Sequence, residues 1–600
     1  MILTESNQWV KLFDSVKAET RKSVEKHVHI YVSASDADSV CSLRILESLF
    51  QNEMIPHGWL PVSRYQEIVE DFMRAYDEDD DVIRYLILVN CGASEDISGI
   101  LELVKRTNVC VIIFDSHRPI MHLANDDDTQ SQVFVILDAE AEGISLGDIP
   151  FAFDDEEEVE RESSPYTENT DGANLLQDEA DRAGVKASEG RMQMIAAEKR
   201  ALYYQCGMHY GKPTACVLYD LAYHLRRESS YFLWLAIVGL TDYLVHNKMP
   251  MTRYESYCIQ YENHVLSSGH LDEPEEEQND GDLIEGAASA KPVCRIARED
   301  DYMFGLLREW TLWDAMINSP YVAARLQTYS EKGKERLEFL LAKIGIPLRE
   351  AKSSFQFDMK PQYHKRLQEQ LALHGISYNL GECMFHSFQL QDGFNRCVMA
   401  VDLVHAISAL LECGGASGQD GAQLGHVDRF WRCWNALSWS NDSKDLRRGL
   451  ELAKKLQSAL VGDGGAIIAQ RLYHNFRSFR VFDLSEHKLT NQGLLVHPMA
   501  LQRLSEFLQE QYYHQSQTSK RKPVVLIAPR NAVTGRCLVV GYQVVAPGQG
   551  NKLGSAFVQA AEDVSAQAWH DLFDTSIMEI MADDVERFKA ELLRIASDIL

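Results

Sequence analysis

The run His29-Ile30-Tyr31-Val32-Ser33-Ala34-Ser35-Asp36-Ala37-Asp38 decides how this chain is read. Four apolar or β-prone residues lead into two carboxylates one residue apart. Such a pair is costly at the end of a buried strand unless a cation or a hydrogen-bond net shares its charge. The pattern Val40, Leu43, Leu46, Leu49 and Phe50 then predicts a helix. Strand, acidic tip and helix make the first half of a βαβ unit.

The motif recurs outward. Tyr85-Leu86-Ile87-Leu88-Val89 ends at Asn90, Val109 to Phe114 ends at Asp115-Ser116-His117, and Val133 to Leu137 supplies another strand. Strands alternating with helical patterns predict a largely parallel sheet, with Asp36, Asn90 and Asp115 at its carboxyl edge, where ligands bind in such sheets. A longer apolar segment, Leu233 to Thr241, delivers Asp242. Acidic tips on separate apolar segments suggest a metal-dependent phosphoesterase site. Such a site needs several anionic oxygens, usually with a histidine, to hold two cations about 3.5–4 Å apart.

Length and charge bound the rest. The chain has 600 residues and 45% hydrophobic composition, enough for two to four domains with their own cores. No stretch of about 18 uncharged apolar residues predicts a membrane span, and the N-terminus carries no secretory pattern. The 12 cysteines form no C-x-x-C pair or zinc spacing, as expected of reduced thiols. Of the formal charge of -30, Asp154 to Lys186 contributes -9 and Asp272 to Glu285 contributes -8. The first segment is expected to be a disordered insertion, with Ser163-Ser164-Pro165 a possible phosphate acceptor, and the second lies in a linker. The charge disfavours a nucleic-acid wrap and favours basic partner proteins.

Further along, residues 293–395 read as mainly helical. Tyr302, Leu306, Trp310 and Trp313 fall on one helical stripe; Leu337, Leu340 and Leu341 fall on another, ended by Gly345-Ile346-Pro347. Cys413 to Gly418 reads as a glycine-rich loop, and so does Gly462-Asp463-Gly464-Gly465, ahead of a helix. Gly548-Gln549-Gly550-Asn551-Lys552-Leu553 lacks both the Gly-Lys and the Ser/Thr of a P-loop. Pro523 to Ala528 and Cys537 to Tyr542 return the chain to α/β character.

Position by position, the acidic tips resemble the DHH phosphoesterase superfamily, typified by the RecJ exonuclease, but with losses. The family's first acid aligns with Ala34, its second-motif acid with Asn90 and the first histidine of D-H-H with Ser116. In the C-terminal G-G-H-x-x-A-A-G, Phe557 stands for the histidine and Glu562 for the last glycine. Amide and hydroxyl oxygens are weaker ligands for a hard dication. The remaining acids are therefore expected to serve structure: Asp36 and Asp38 as helix-start acceptors, Asp115 and Asp242 as partners of His117 or Arg118.

This pattern of losses, with Tyr321-Val322-Ala323-Ala324-Arg325-Leu326, Gly345 to Leu348 and Gly449 to Lys455, resembles the eukaryotic cell division cycle protein 45 family of replication initiation factors. The resemblance implies an α/β fold with three parts: an N-terminal parallel-sheet DHH-like domain (1–263, acidic insertion 154–186), a helical inter-domain insert (293–395, after the acidic linker 264–292) and a C-terminal α/β DHHA1-like domain (396–600). It implies a nuclear, non-catalytic scaffold without cofactor or metal, whose site Asp36, Asp38, Asn90, Asp115, Ser116, His117 and Asp242 is vestigial. Its implied partners are the minichromosome maintenance hexamer, the GINS complex and replication initiation and polymerase factors. Trp310, Trp313, Tyr321 and Arg325 are candidate partner contacts, the alternative being that the aromatic stripe is core. Arg447, Arg448, Lys520, Arg521 and Lys522 are candidate contacts to single-stranded DNA. The competing reading is a manganese-dependent DHH-type single-strand exonuclease or phosphoesterase. The inserts at 272–285 and 413–426 carry no assignable motif.

Overall fold

Six parallel strands open the computed structural model: β1 (Ile2–Leu3), β2 (Val28–Ser33), β3 (His57–Val62), β4 (Arg84–Val89), β5 (Val109–Phe114) and β6 (Val133–Ile136), in the order β1-β6-β5-β4-β2-β3. The structure describes residues 1–22, 28–75, 84–125, 131–151, 195–268, 294–392, 396–413, 425–437, 443–485, 487, 489–516, 520–531, 535–544 and 550–599. The acidic segments 154–186 and 272–285, Ser163-Ser164-Pro165 and nearly all of the 413–426 insert lie outside the described residues.

The central strands are covered on both faces, which is why they read as unbroken apolar runs. Ile30, Val32, Ile87 and Val89 face one core; Tyr31, Leu86, Leu88 and Val111 face the other. Register aligns Val32 with Val89 and Val89 with Phe114, so the residues after them emerge at one edge. On the first face pack α1 (Ala37–Asn52), α2 (Thr214–His224) and α3 (Ser230–Val245). Every residue of α3 from Phe232 to Leu244 is buried, accounting for its lack of a polar face.

The middle of the chain begins and ends in strands. An antiparallel sheet of β7 (Cys294–Tyr302), β8 (Met384–Asp392) and β9 (Arg396–Met399) brackets the short helices, which bury Leu337, Leu340, Leu341, Leu367 and Leu371 in their own core. The expected stripe from Tyr302 to Trp313 is not helical throughout. Tyr302 closes β7, Leu306 sits in the left-handed region (φ 62°), and only Trp313 lies in an α-helix, Leu312–Ile317. A period of three to four arose there from a turn that packs several large side chains into one core.

Two helices, α4 (Ala400–Cys413) and α5 (Lys444–Gln470), join the third part to α3. Gly462-Asp463-Gly464-Gly465, expected as a loop, is the interior of α5. A Cβ on Gly464 would lie 2.5 Å from the Phe507 ring, and one on Gly465 would lie 2.7 Å from the Tyr329 Cβ. The glycines permit close helix packing, and Asp463 accepts the Thr490 and Asn491 amides at 3.0 Å each. The C-terminal sheet runs β10 (His474–Asn475), β11 (Arg480–Asp483), β12 (Val524–Asn531), β13 (Arg536–Tyr542), β15 (Asp574–Met581) and β14 (Ala568–Asp571), with only β11 and β12 parallel. Side-chain alternation along β12 sends Leu526 towards α6 (Pro498–Ser516) and Val525 and Ile527 towards α7 (Leu553–Asp563) and α8 (Val585–Ile599).

The N- and C-terminal sheets are tied directly. Arg64 reaches Asp571 at 3.2 Å and Glu579 at 2.9 Å, and Met208 and Asn551 exchange backbone hydrogen bonds. Gly550, in the P-loop-like stretch, serves this junction: an added Cβ would lie 2.4 Å from the Met208 carbonyl oxygen. Gly550→Ala is therefore expected to cost about 1–3 kcal/mol, measured by urea unfolding. An unchanged midpoint would show that the two backbones can part freely.

Candidate functional site

All seven residues of the expected site converge at the carboxyl edge of the N-terminal sheet. Asp36 is the N-cap of α1: its Oδ1 accepts the Ser39 amide at 2.9 Å and the Ser39 hydroxyl at 2.6 Å. Asp38 caps a different helix. Its Oδ2 accepts the Thr214 amide at 3.0 Å and its Oδ1 the Ala215 amide at 2.9 Å, at the start of α2, where Pro213 provides no side-chain cap.

Asn90 explains its own departure from a carboxylate. Its Nδ2 donates to Asp38 Oδ2 at 2.8 Å, while its Oδ1 accepts from Thr214 Oγ1 at 2.5 Å and Ser116 Oγ at 3.2 Å. An aspartate there could not donate and would set two carboxylate oxygens against each other. The residue sits at φ 52°, a left-handed conformation asparagine tolerates. Ser116 also receives the Tyr243 hydroxyl.

Asp115 and His117 pair as expected, with Asp115 Oδ1 2.6 Å from His117 Nδ1. Asp115 also accepts the His117 amide and, through Oδ2, the Ala93 amide, both at 2.9 Å. Burial works against charge on both groups, yet each partner overrides it: the carboxyl is held below the usual carboxylate range and the imidazole above its ordinary value. Arg118 turns away to Glu142, in a fork of 2.8 and 2.7 Å.

Asp242 meets neither His117 nor Arg118. Its Oδ2 lies 3.2 Å from Lys248 Nζ and its Oδ1 3.0 Å from His246 Nδ1. The same ammonium reaches Asp36 Oδ2 at 2.7 Å, flanked by the Tyr210 and Tyr243 rings at 5.2 and 5.0 Å. Lys248 is 7% exposed. Burial opposes its charge, but Asp242 and Asp36 raise its affinity for the proton well above the ordinary lysine value, and Lys248 and His246 in turn hold the buried Asp242 carboxyl well below the usual range. Sequence reasoning missed Lys248. The only signal was a lysine six residues beyond Asp242, in Asn247-Lys248-Met249-Pro250 just past an apolar helix.

These donors do not fit a pair of dications. Both oxygens of Asp38 and of Asp115 face N–H donors, and Asp36 and Asp242 share an ammonium. A metal would have to displace Lys248 and uncap two helices. Among the described residues, no group of three or more His, Cys, Asp or Glu side chains is arranged to hold a metal ion.

Burial first, then the Asp36 charge, push the Asp38 carboxyl up to about 7. A carboxyl raised in the folded state favours folding fully below its unfolded value near 4, and that contribution is lost as pH rises to about 7. Stability is therefore expected to fall between about pH 4 and pH 7, and Asp38→Asn to flatten this slope by up to about 1.4 kcal/mol per pH unit. Urea titrations across that range check it; identical slopes would place the titration elsewhere.

The other expected contacts are scattered. Trp310 and Trp313 are half-buried against the core of the middle part. Arg325 lies over the Tyr321 ring at 3.6 Å. Arg447 and Arg448 occupy the first turns of α5, beside the buried Leu446 and Gly449. Arg521 binds Glu510 and stacks on Tyr513, while Lys522 donates to the Phe476 carbonyl at 2.8 Å. Phe557 fills the C-terminal core between α7 and the sheet. No described helix is long and apolar enough to cross a membrane.

Comparison with known proteins gives the family. The CDC45 family model matches residues 28–200 and 152–594. The Cell division control protein 45 homolog of Homo sapiens is 30% identical over 572 residues, covering 94% of this chain and 96% of that one. The homolog of Mus musculus is 29% identical over 586 residues, covering 96% and 99%. Among solved structures, CDC45 from Entamoeba histolytica shares the fold, with a TM-score of 0.69 at 20% identity over the full length of both chains. With a family model spanning nearly its whole length and a site whose acids bind amides and an ammonium, this chain belongs to the CDC45 family.

Proposed function

We propose that the chain is a non-catalytic scaffold in the initiation and elongation of DNA replication, acting in the nucleus to join the minichromosome maintenance ATPase ring to the GINS complex. The observation that carries the non-catalytic half is the Lys248 ammonium, seated between Asp36 and Asp242 at 2.7 and 3.2 Å. A fixed cation there supplies charge balance without an open coordination position or an activated water. Family membership supports the replication role. Partner contact is assigned to the middle part, with Trp310, Trp313, Tyr321 and Arg325 as first candidates, and weak contact with single-stranded DNA to the basic spots at Arg447-Arg448 and Lys520 to Lys522.

A pull-down from S-phase extract is expected to recover both the ATPase ring and GINS; recovering neither would sink the scaffold reading. Incubation with manganese and labelled single-stranded DNA is expected to release no mononucleotides. Release that disappears in Asp115→Ala would instead establish the exonuclease.

A further inference from the structure

Where α3, the middle part and the C-terminal part meet, the chain forms an open-mouthed cavity of about 340 Å³. That is within the range of small-molecule sites. Its walls are apolar and aromatic, with Tyr302, Phe385 and Phe507 contributing. Two buried polar atoms at its edge lack hydrogen-bond partners: the side-chain oxygen of Gln457 and the Nε of Arg503. Such groups are costly to bury unsatisfied.

Charge at the cavity is unevenly matched. Arg503 is paired with Glu412, and Arg521 with Glu510, which His514 also approaches at 3.4 Å. Burial, then the Glu510 charge, push the Glu506 carboxyl up to about 7, so its balancing charge is only partial near neutral pH. Arg325 turns to Tyr321: Nη1 donates to the Tyr321 carbonyl at 2.9 Å, and the guanidinium covers the ring at 3.6 Å. Half-buried, it is disfavoured as a cation chiefly by desolvation; Glu510 offsets this from a distance, and among the described residues no carboxylate lies within 4 Å of the guanidinium. A stacked guanidinium of this kind is suited to gripping a carboxylate or phosphate.

We propose that this cavity binds a small amphipathic anion, its apolar or aromatic body against Phe385 and Phe507 and its single carboxylate or phosphate group on Arg325. The site is separate from the acidic cluster; it takes Tyr321 and Arg325 for the cavity rather than for a partner surface, and the scaffold role does not depend on it.

Isothermal titration of the full chain with decanoate, thymidine 5′-monophosphate and decan-1-ol tests it. At least one of the two anions is expected to saturate below 1 mM, roughly the weak end of specific recognition; which one does so distinguishes an acyl from an aromatic body. The neutral alcohol should bind at least about tenfold more weakly than that anion, and Arg325→Gln should lose about tenfold or more in affinity, the loss of one charge-assisted contact. Lys332→Gln, on the exposed start of helix Glu331–Ile344, should change nothing. Should Arg325→Gln not fold, Val401→Trp, which fills the cavity from α4, replaces it and should abolish binding. The proposal fails if neither anion saturates, if the alcohol matches the anion, or if the folded cavity variant binds as the parent does.

Discussion

Lys248→Met is expected to destabilise the protein by about 3–5 kcal/mol, the cost of leaving buried charges without their partner. The substitution keeps the apolar stem between the Tyr210 and Tyr243 rings and removes only the ammonium. Asp36 and Asp242, with Asp38 close by, then face one another with His246 as the remaining neighbour of Asp242. Protonation is their relief. The freed acids acquire raised values in the folded state, so the deficit should be largest near pH 8 and shrink as pH falls towards 5. Asp242→Asn added to Lys248→Met should recover at least half of the loss, because the pair is then removed together rather than broken. Urea unfolding of the four forms in a double-mutant cycle measures this. A loss below about 1 kcal/mol for Lys248→Met would mean that solvent, not the ammonium, balances the acids.

The second large effect is expected at Arg118. Its guanidinium is 3% exposed and makes four hydrogen bonds: two to Glu142, and two from Nη1 to the carbonyls of Asp115 and His117, each 2.8 Å. Glu142 also accepts the Lys212 amide at 2.9 Å, just before the α2 helix that Asp38 caps. Arg118→Met should cost about 3–5 kcal/mol by stranding the Glu142 carboxylate. Arg118→Lys should rescue little of it, since an ammonium cannot reproduce the planar fork. Thermal unfolding distinguishes the two; full rescue by lysine would show that charge, not geometry, matters here.

Much of the site was legible before any coordinates. Asp36, Asn90 and Asp115 each end a run of β-forming residues, and parallel strands in register must deliver such ends to one edge. That Ala34, Asn90 and Ser116 stand where a phosphoesterase has ligands was legible only through the family resemblance. Asp115 with His117 could be paired from sequence, being two residues apart. The partners of Asp242 and the helix that Asp38 caps could not. Asp38 and Thr214 are separated by 176 positions, Lys248 and Asp36 by 212, and no periodicity links them. The glycines of α5 misled for a related reason: their role lies in Phe507 and Tyr329, which only packing brings near.

Local chemistry alone thus fixed the parallel sheet and its acidic edge, since backbone propensity and side-chain identity act over a few residues. Only the tertiary fold decided what balances those acids. The depth at which Lys248 is buried, and the carboxylates it meets, depend on three helices stacking on one sheet face, and desolvation is a property of that assembly rather than of any segment within it.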